Sequence, residues 1–273
     1  MIHVINQMQR ADEIMKDDLK VKEYAICFVD ILGYKNLLTE LGEDEFLQII
    51  EDAFNEFEPS VEFLGSGRLN LGEDGFASKI EYHIFSDNIL FFIGIDGMSD
   101  IEAARRLYCL AYFVANIQQS LLRQKILLRG GLTFGKLYYK RGKYIYGSGL
   151  MRAYELESTA ANFPRVIIDP KVENVLNAKK SLTEKYINLV TMDYSADFYF
   201  VNYFRYATNF HALNMRGNTH IIPKIMDWIE GMITSGDIPV SVSAKYRWLK
   251  EHLEEARQER KCISSSESEI ELV

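Results

Sequence analysis

The sequence predicts an α+β protein in which helices cover a β-sheet. Short apolar runs rich in β-prone residues alternate along the chain with longer segments whose apolar residues recur every three or four positions. The composition is that of an ordinary globular protein, since 48% of the 273 residues are hydrophobic and 26% are charged. Charges interrupt the apolar stretches well before the ~20 residues that a membrane span requires. We therefore expect one large folded domain with an appended element, and no membrane-spanning segment.

Charge and cysteine content limit which binding partners and which cellular compartment we expect for this protein. The formal net charge is −8, and half of it lies in the last 23 residues, where seven Glu face three basic residues. Such an acidic chain does not favour a nucleic-acid partner. The three cysteines have no C-x-x-C spacing, and the first 20 residues lack the apolar core of a signal peptide. These features indicate a cytoplasmic protein with no disulfide framework, no structural zinc site and no membrane partner.

The first half of the chain has the predicted order β-α-α-β-β-α-β. Residues 24–29 are a short apolar run that ends at Asp30, which is typical of a strand buried on both faces. Ser99 and Glu102 have the spacing of a capping box, so a long helix begins there. Residues 86–88 favour a tight hairpin turn. The predicted helices are 34–41, 45–57 and 99–124, and the predicted strands are 24–29, 80–85, 89–95 and 126–134.

The second half continues this order and then changes character. A hairpin, a helix, a strand and a helix with proline in its first turn are predicted at 135–144, 149–163, 165–168 and 170–178. Two further helices, 219–233 and 244–261, come after an aromatic-rich stretch at 198–204. The chain therefore divides into an N-terminal segment (1–23), a main domain (24–192), a helical C-terminal accessory part (193–263) and a flexible acidic tail (264–273).

Two carboxylates stand at the ends of predicted strands. Asp30 lies where a buried strand gives way to a helix, and Asp87 lies in the predicted hairpin turn. Side chains at one edge of a sheet can converge, and Mg²⁺ takes oxygen ligands from one or two carboxylates and from substrate phosphates. The pair therefore indicates a two-metal phosphoryl-transfer site. The alternative is structural, with Asp30 as a helix N-cap and Asp87 as an ordinary turn residue.

An arginine lies inside the predicted strand 126–134. Arg129 is surrounded by apolar residues and glycines, and an unpaired guanidinium in a buried strand is costly unless an anion faces it. A substrate triphosphate would be such an anion. A structural ion pair with Asp30 or Asp87 would satisfy it equally well.

Four segments together resemble a known family, the class III nucleotidyl cyclases. Residues 28–34 (FVDILGY) resemble its first metal motif, Ser86-Asp87 resembles its second, and residues 128–135 (LRGGLTFG) resemble the strand that carries its phosphate-binding arginine. Residues 146–158 (YGSGLMRAYELES) fall where the family has a glycine-started helix of the dimer interface. The three motifs occur in the family's order, and the resemblance covers roughly Tyr24 to Asp169.

Within this class, the sequence looks most like the pyrimidine cyclases of the bacterial Pycsar anti-phage systems, which make cyclic UMP or cyclic CMP. The resemblance implies a ferredoxin-like sheet, a homodimer with sites at the interface, and two divalent ions, Mg²⁺ or Mn²⁺. It implies UTP as the favoured substrate and an effector that the cyclic product activates. A purine (adenylate or guanylate) cyclase and an inactive nucleotide-binding homologue are the alternatives.

The resemblance also assigns roles to particular residues. It implies that Asp30 and Asp87 bind the metal ions and that the Ile31 carbonyl joins them. It places Ile31 and Gly33 beside the substrate. It gives Arg129 the role of holding phosphate.

The helix after the interface glycine departs from the purine cyclases. Where they carry an asparagine and, four positions later, an arginine that stabilises the transition state, this chain has Met151 and Glu155. Arg152 is one residue away from the first of these positions. It either substitutes for the missing cation or is a charge of the dimer interface.

The positions that recognise the base depart as well. The family's adenine-contacting lysine is replaced by His83, and its second base contact by Tyr144, with Arg141 in the same hairpin. A neutral histidine can donate or accept a hydrogen bond at a pyrimidine edge, and a large phenol would narrow the pocket to a single ring. The structural alternative is a core histidine and a solvated hairpin.

Overall fold

The computed structural model describes residues 22–56, 80–140, 143–178, 189–193, 197–204, 221–236 and 238–270. In the last helix, side chains are described through Gln258. Nearly all of the predicted N-terminal segment, and Arg141, lie outside these ranges. Among the described helices, none combines the length and the apolar character needed to cross a membrane.

Eight strands form one mixed, open sheet within the described residues. They are β1 (Lys22–Leu32), β2 (Glu81–Phe85), β3 (Asn88–Gly94), β4 (Leu127–Lys140), β5 (Tyr144–Tyr146), β6 (Val166–Ile168), β7 (Val190–Asp193) and β8 (Phe198–Val201). Seven of them follow the order β2-β3-β1-β4-β6-β8-β7, and β5 pairs with β4. β4 and β6 run parallel, whereas the other neighbouring strands are antiparallel.

Seven helices accompany this sheet in the described part of the chain. They are α1 (Tyr34–Leu41), α2 (Glu43–Asn55), α3 (Asp100–Arg123), α4 (Ser148–Ala160), α5 (Pro170–Ala178), α6 (Ile221–Thr234) and α7 (Val240–Ile270). The predicted capping box at the start of α3 is present, because Ser99 Oγ accepts from the Glu102 amide while the Glu102 carboxylate accepts from the Ser99 amide. The prediction of an α+β sheet covered by helices is confirmed.

The strands β1 to β4 form a ferredoxin-like β-α-β-β-α-β unit, as the sequence predicts. The order β2-β3-β1-β4 is antiparallel throughout, which places the first strand at the centre between the third and the fourth. The register aligns Asp30 with Asn88 on one side and with Arg129 on the other. This central position explains why β1 is buried from Ala25 to Val29.

The two faces of the sheet differ in how they are covered. Alternate residues of β1, from Ala25 to Ile31, face the larger core that α2, α3 and the C-terminal helices complete. On the opposite face, Ile26 and Phe28 join a smaller cluster with Leu90 and Ala153 of α4. Asp30 has the parity of this second face, so it lies on the side that α4 covers.

Two strands continue beyond their predicted ends. β1 extends past Asp30 to Leu32, because Asp30 is hydrogen-bonded into strands on both sides rather than ending the ladder. β4 runs through Gly135 to Lys140 before the chain turns back into β5. The predicted hairpin at 135–144 is therefore the far end of a long strand and its short return.

The C-terminal part is built into the main sheet and core. The predicted boundary at 192 cuts through β7, and β8 inserts between β6 and β7. Trp248 of α7 packs in the same core cluster as the helices of the main domain. Arg165, fully buried beside β6, pairs with Asp193 and lies 5.6 Å from the Trp248 ring. Sheet pairing and a buried ion pair thus join the described residues of the predicted accessory part to the main sheet.

The acidic C-terminus continues the last helix. The sequence predicts a flexible tail at 264–273, whereas α7 extends through Ile270. The stretch 240–270 contains neither glycine nor proline to end a helix.

Candidate functional site

The two aspartates are brought together where β1 meets the β2–β3 turn. Asp30 lies in β1 opposite Asn88, and Asp87 is the residue before Asn88. The Ile31 amide donates to the Asp87 carbonyl over 2.8 Å, and Asn88 Nδ2 donates to Asp87 Oδ1 over 2.8 Å. These bonds fix the turn against the end of β1.

Arg129 pairs directly with Asp30. Its Nε donates to Asp30 Oδ2 over 2.9 Å, as the cross-strand register of β1 and β4 requires. The Arg129 side chain keeps 28% of its surface exposed and the Asp30 side chain 16%, so both remain reachable from solvent. The ion pair with Asp30, which the sequence analysis gave as one of two alternatives for Arg129, is present. It is reachable from solvent rather than enclosed in the core.

A third carboxylate, Glu157, completes this cluster and was not predicted. It projects from α4 with only 4% of its side chain exposed, and its Oε1 lies 2.9 Å from Arg129 Nη2. Within the described residues that oxygen accepts no hydrogen bond of good geometry, so its contact with Arg129 is an ion pair. Burial raises the pKa of Glu157, Arg129 lowers it, and the charges of Asp30 and Asp87 raise it further.

The sequence carried one signal for Glu157. Its neighbours on the same helical side, Ala153 and Leu156, are buried against the sheet, so a carboxylate at 157 falls beside an apolar stripe. A charge in that place needs a partner. The partner became identifiable only when α4 was packed on β4.

Glycine at position 131 permits that packing. A Cβ there would come within 2.4 Å of the Ala153 carbonyl oxygen and 2.5 Å of Leu156 Cβ. α4 therefore lies closer to β4 than any side chain at position 131 would allow. This close approach brings Glu157 within reach of Arg129.

The donor set fits a hard divalent cation. Asp30 and Asp87 offer carboxylate oxygens beside the Ile31 backbone, and Mg²⁺ is commonly held by one or two carboxylates while substrate phosphates and water complete its octahedron. Among the described residues, no group of three or more His, Cys, Asp and Glu side chains is arranged to hold a metal alone.

The structure places Arg152 away from this cluster. Its Nε donates to Asp169 over 2.9 Å and its Nη1 to Glu155 over 2.9 Å. Asp169 also accepts from Thr133, which is four residues along β4 from Arg129, or about 13 Å in an extended strand. Burial raises the pKa of Asp169, but the hydrogen bonds from Arg152 and Thr133 outweigh it and lower the pKa overall.

His83 lies on the face that carries Asp30, but its neighbour is a tyrosine other than the predicted one. His83 Nε2 is 3.3 Å from the Tyr139 hydroxyl, and its ring stacks on Phe92 with centroids 5.9 Å apart. Tyr144 lies on β5, where its ring is 5.7 Å from that of Tyr146. Within one chain, the described contacts thus join His83 to Tyr139 rather than to Tyr144, because β4 extends further than expected.

Comparison with known proteins finds solved structures whose fold is similar to that of this chain. No protein-family model and no curated protein matches the sequence. The guanylyl cyclase Cya2 is 12% identical with a TM-score of 0.42, covering 67% of this chain and 93% of that one. The monomeric guanylyl cyclase domain of the RhoGC fusion protein from the aquatic fungus Blastocladiella emersonii is 15% identical with a TM-score of 0.44, covering 66% and 95%.

A third solved structure is similar to the same extent. It is the catalytic core of a rhodopsin-guanylyl cyclase with converted specificity in complex with ATPalphaS, 13% identical with a TM-score of 0.42, covering 66% of this chain and 96% of that one. This chain is thus similar, over about two thirds of its length, to solved guanylyl cyclase domains.

Proposed function

We propose that this protein is a pyrimidine nucleotide cyclase that converts UTP into 3′,5′-cyclic UMP and diphosphate. The observation that carries the proposal is the cluster of Asp30, Asp87 and Arg129 at one end of β1. Two carboxylates for divalent ions and a reachable guanidinium for phosphate are the groups that such a reaction needs.

Asp30 and Asp87, with the Ile31 carbonyl, would hold two Mg²⁺ or Mn²⁺ ions. Such ions supply Lewis-acid chemistry that makes the ribose 3′-hydroxyl a better nucleophile and offsets charge at the α-phosphate. The 3′-hydroxyl gives its proton to solvent water and the 3′-oxygen forms a bond to the α-phosphorus. The bond between the α-phosphorus and the oxygen that bridges to the β-phosphate breaks, and diphosphate leaves. Arg129 binds the phosphate oxygens, and Gly33, with a left-handed backbone (φ 75°), lets the chain turn beside them into α1.

In the free protein Arg129 is already paired with two carboxylates, and in the proposed reaction it exchanges one of them, Asp30, for substrate phosphate. Its Nε is bound to Asp30, and its Nη2 is held by Glu157. When Asp30 binds a cation instead of Arg129, Glu157 stays paired with the guanidinium. The other nitrogens of Arg129 are then available to bind phosphate. We assign Glu157 the role of a positioning residue for Arg129.

Base selection rests on His83 and the tyrosines of the β4–β5 hairpin. His83 can offer a hydrogen bond to the O4 or N4 edge of a pyrimidine, and the phenols of Tyr139 and Tyr144 add bulk that a purine would have to displace. Arg141, which lies outside the described residues, remains a predicted substrate contact. This choice of UTP follows the resemblance of residues 28–34 and 146–158 to pyrimidine cyclases.

We further propose that the protein acts as a homodimer. Large apolar side chains stay exposed around the sheet face that α4 covers, among them Phe85, Tyr146, Met151 and Tyr154. Phe85 and Tyr154 both contact the ring of Phe28, so they form one apolar patch beside the site. A second copy would bury this patch and complete a site from two chains.

The biological role would be a signal in bacterial anti-phage defence. A cyclic pyrimidine nucleotide is a small diffusible product, so its effect requires an effector that the product activates. The resemblance to Pycsar cyclases carries this part of the proposal.

One experiment tests the reaction and the base together. The protein is incubated with equimolar ATP, GTP, CTP and UTP in Mn²⁺ or Mg²⁺, and the cyclic nucleotides are separated and identified by mass spectrometry. We expect cyclic UMP as the main product and no product from Asp30→Asn. Cyclic AMP or cyclic GMP as the main product would establish a purine cyclase instead.

A catalytically inactive nucleotide-binding protein is the second candidate. Two observations favour it: Met151 and Glu155 occupy the positions of the missing transition-state pair, and Arg152 is bound by Asp169 and Glu155. Removing a transition-state donor typically costs about 10²–10³ in rate. Nucleotide binding without any cyclic product in the same assay would decide for this candidate.

A further inference from the structure

The two aspartates of the site have different partners in the free protein. Asp30 is paired with the guanidinium of Arg129, which donates to its Oδ2 over 2.9 Å. Among the described residues Asp87 forms no ion pair, and its one side-chain hydrogen bond comes from Asn88, whose Nδ2 donates to Asp87 Oδ1 over 2.8 Å. A cation therefore offsets the charge of Asp30, whereas only a neutral amide contacts the carboxylate of Asp87.

Asn88 lies on the same face of the sheet as Asp30. The two residues are opposite one another in the antiparallel pair of β1 and β3. Directly opposed residues have Cβ atoms about 4.5–5.5 Å apart. Two residues further along the strands, Phe28 and Leu90 pack in the smaller cluster that α4 covers, and alternation places Asp30 and Asn88 on that face too. Asn88 is thus next to Asp87 in the chain and across from Asp30 in the sheet.

The backbone around Asn88 is held by strands on both sides. Asn88 is the first residue of β3 and pairs with Phe85 of β2 across the two-residue turn of Ser86 and Asp87. The Ile31 amide donates to the Asp87 carbonyl over 2.8 Å and ties this turn to β1. The main chain of Asp87 is therefore fixed, and the bond from the Asn88 amide adds a restraint on its side chain.

A neutral amide suits the task of orienting a carboxylate that binds metal. The amide of Asn88 fixes one oxygen of Asp87 and brings no positive charge that would compete with a cation. Among the described residues, the other oxygen, Oδ2, accepts no hydrogen bond. A ligand that is already oriented loses less conformational entropy when it binds an ion, and the groups that orient metal ligands therefore affect affinity.

We propose that Asn88 is a positioning residue that orients Asp87 for the divalent ions. The inference rests on the proposed function and adds a residue to which the family resemblance gives no role. It also makes Asp87 the carboxylate that a cation meets first. Arg129 already occupies one oxygen of Asp30 and balances its charge, whereas Asp87 has no cation to exchange among the described residues.

Binding of inorganic tripolyphosphate tests the inference without requiring turnover. Its Kd is measured by titration calorimetry, once with Mn²⁺ and once with EDTA, for the wild type, Asn88→Leu and Asn88→Gln. Leucine has nearly the shape of asparagine but lacks the donor, whereas glutamine keeps the amide on a longer stem. With Mn²⁺ we expect Asn88→Leu to weaken binding about tenfold to a hundredfold, the usual cost of losing a group that orients a metal ligand, and Asn88→Gln to restore part of it. With EDTA we expect no change, because Asn88 then has no metal ligand to orient.

The same substitution in an Asp87→Ala background shows whether Asn88 acts through Asp87. We expect Asn88→Leu to cause no further loss there, because two groups that act as one unit do not contribute additively. Asn174→Leu in α5 is the matched control, since Asn174 is exposed on another element. It should bind like the wild type, and thermal unfolding should show that all variants fold.

Three results would overturn the inference: unchanged affinity with Mn²⁺ in Asn88→Leu, an equal loss with EDTA, or a full further loss in the Asp87→Ala background. If Asp87→Ala alone weakens binding, the metal role of Asp87 survives that failure. If Mn²⁺ does not change the affinity of the wild type, both the metal site and the inference fail. If the wild type shows the expected binding but cyclises no nucleotide, the proposed reaction fails while the role of Asn88 is still decided.

Discussion

Arg129 donates to Asp30 across neighbouring strands over 2.9 Å, so the phosphate-binding candidate and the metal-binding candidate neutralise each other in the free protein. Glu157 holds the far side of the same guanidinium. A cation and a phosphate arriving together can exchange partners with this pair without leaving either charge unmatched. The arrangement predicts that metal and nucleotide bind with positive coupling.

Replacing either aspartate should stop the reaction without unfolding the protein. Asp30→Ala or Asp87→Ala removes an oxygen ligand that the divalent ions need, and we expect cyclic nucleotide formation to fall by more than about 10³-fold, since metal ions supply several kcal/mol of stabilisation. Product formation is measured by chromatography, and dimer content by light scattering. Asp44→Ala, an exposed change in the first turn of α2, is the control. Near-wild-type turnover in either site variant would refute the metal assignment.

Arg129 should be required for binding nucleotide rather than for folding. We expect Arg129→Ala to weaken UTP binding about tenfold to a hundredfold, and Arg129→Lys to recover only part of it, because lysine lacks the planar fork that reaches Asp30 and Glu157 together. Equilibrium binding with Mn²⁺ and non-cyclisable UTP checks this. Affinity equal to that of the wild type would give Arg129 a purely structural role.

A methyl group on Gly131 should disturb the site through packing. In Gly131→Ala the new Cβ meets the Ala153 carbonyl oxygen at 2.4 Å, so α4 must move and carry Glu157 with it. We expect a loss of about 1–3 kcal/mol in the free energy of unfolding, measured by urea denaturation, and reduced nucleotide affinity. Gly231→Ala in α6, where the space around the new Cβ is open, should instead stabilise by about 0.4–1 kcal/mol. Equal effects of the two changes would contradict the close approach of α4.

The base preference should depend on His83 and the hairpin tyrosines. His83→Ala removes an edge contact and should cost about 1–3 kcal/mol, mainly in UTP turnover. Tyr144→Ala enlarges the pocket and should narrow the UTP-over-ATP ratio more than it lowers the rate, because steric exclusion acts on the larger base.

Tyr139→Phe separates the contribution of the hydroxyl that lies 3.3 Å from His83. Ratios of kcat/KM for the four nucleotides provide the measurement. If every variant keeps the wild-type preference, the base is recognised elsewhere.

Acid should loosen the C-terminal helix through His252. Its half-buried ring packs against Trp248 and Phe200, its Nδ1 donates to the Trp248 carbonyl, and partial burial lowers its pKa below the ordinary value of 6.5. The unfolded chain therefore binds the proton more readily than the folded chain, so stability falls as the pH falls below about 6.5. We expect His252→Gln to flatten this part of the pH profile of urea unfolding. An unchanged profile would show that His252 does not contribute to it.

The sequence by itself determined the local features of the fold and indicated three members of the candidate site, Asp30, Asp87 and Arg129. The apolar run of β1, the turn at 86–88 and the capping box of Ser99 with Glu102 depend on neighbours within a few residues, so they can be predicted without tertiary structure. Asp30 and Asp87 were each recognisable from their local sequence, whereas the antiparallel pairing of β1 with β3 is what brings them together. The sequential order of these elements followed from the same local patterns, whereas the ferredoxin-like pairing of β1 to β4 was implied by the family resemblance.

Only the tertiary structure decided how the C-terminal half joins the site. β8 enters the sheet between β6 and β7, and Glu157 reaches Arg129 from α4. Contacts between residues distant in sequence leave no periodicity for single-sequence reasoning to detect. Their positions are set by how glycine at 131 lets α4 approach and how Trp248 fills the core. Close packing of whole elements, rather than the local propensity of any one, brings these charges together.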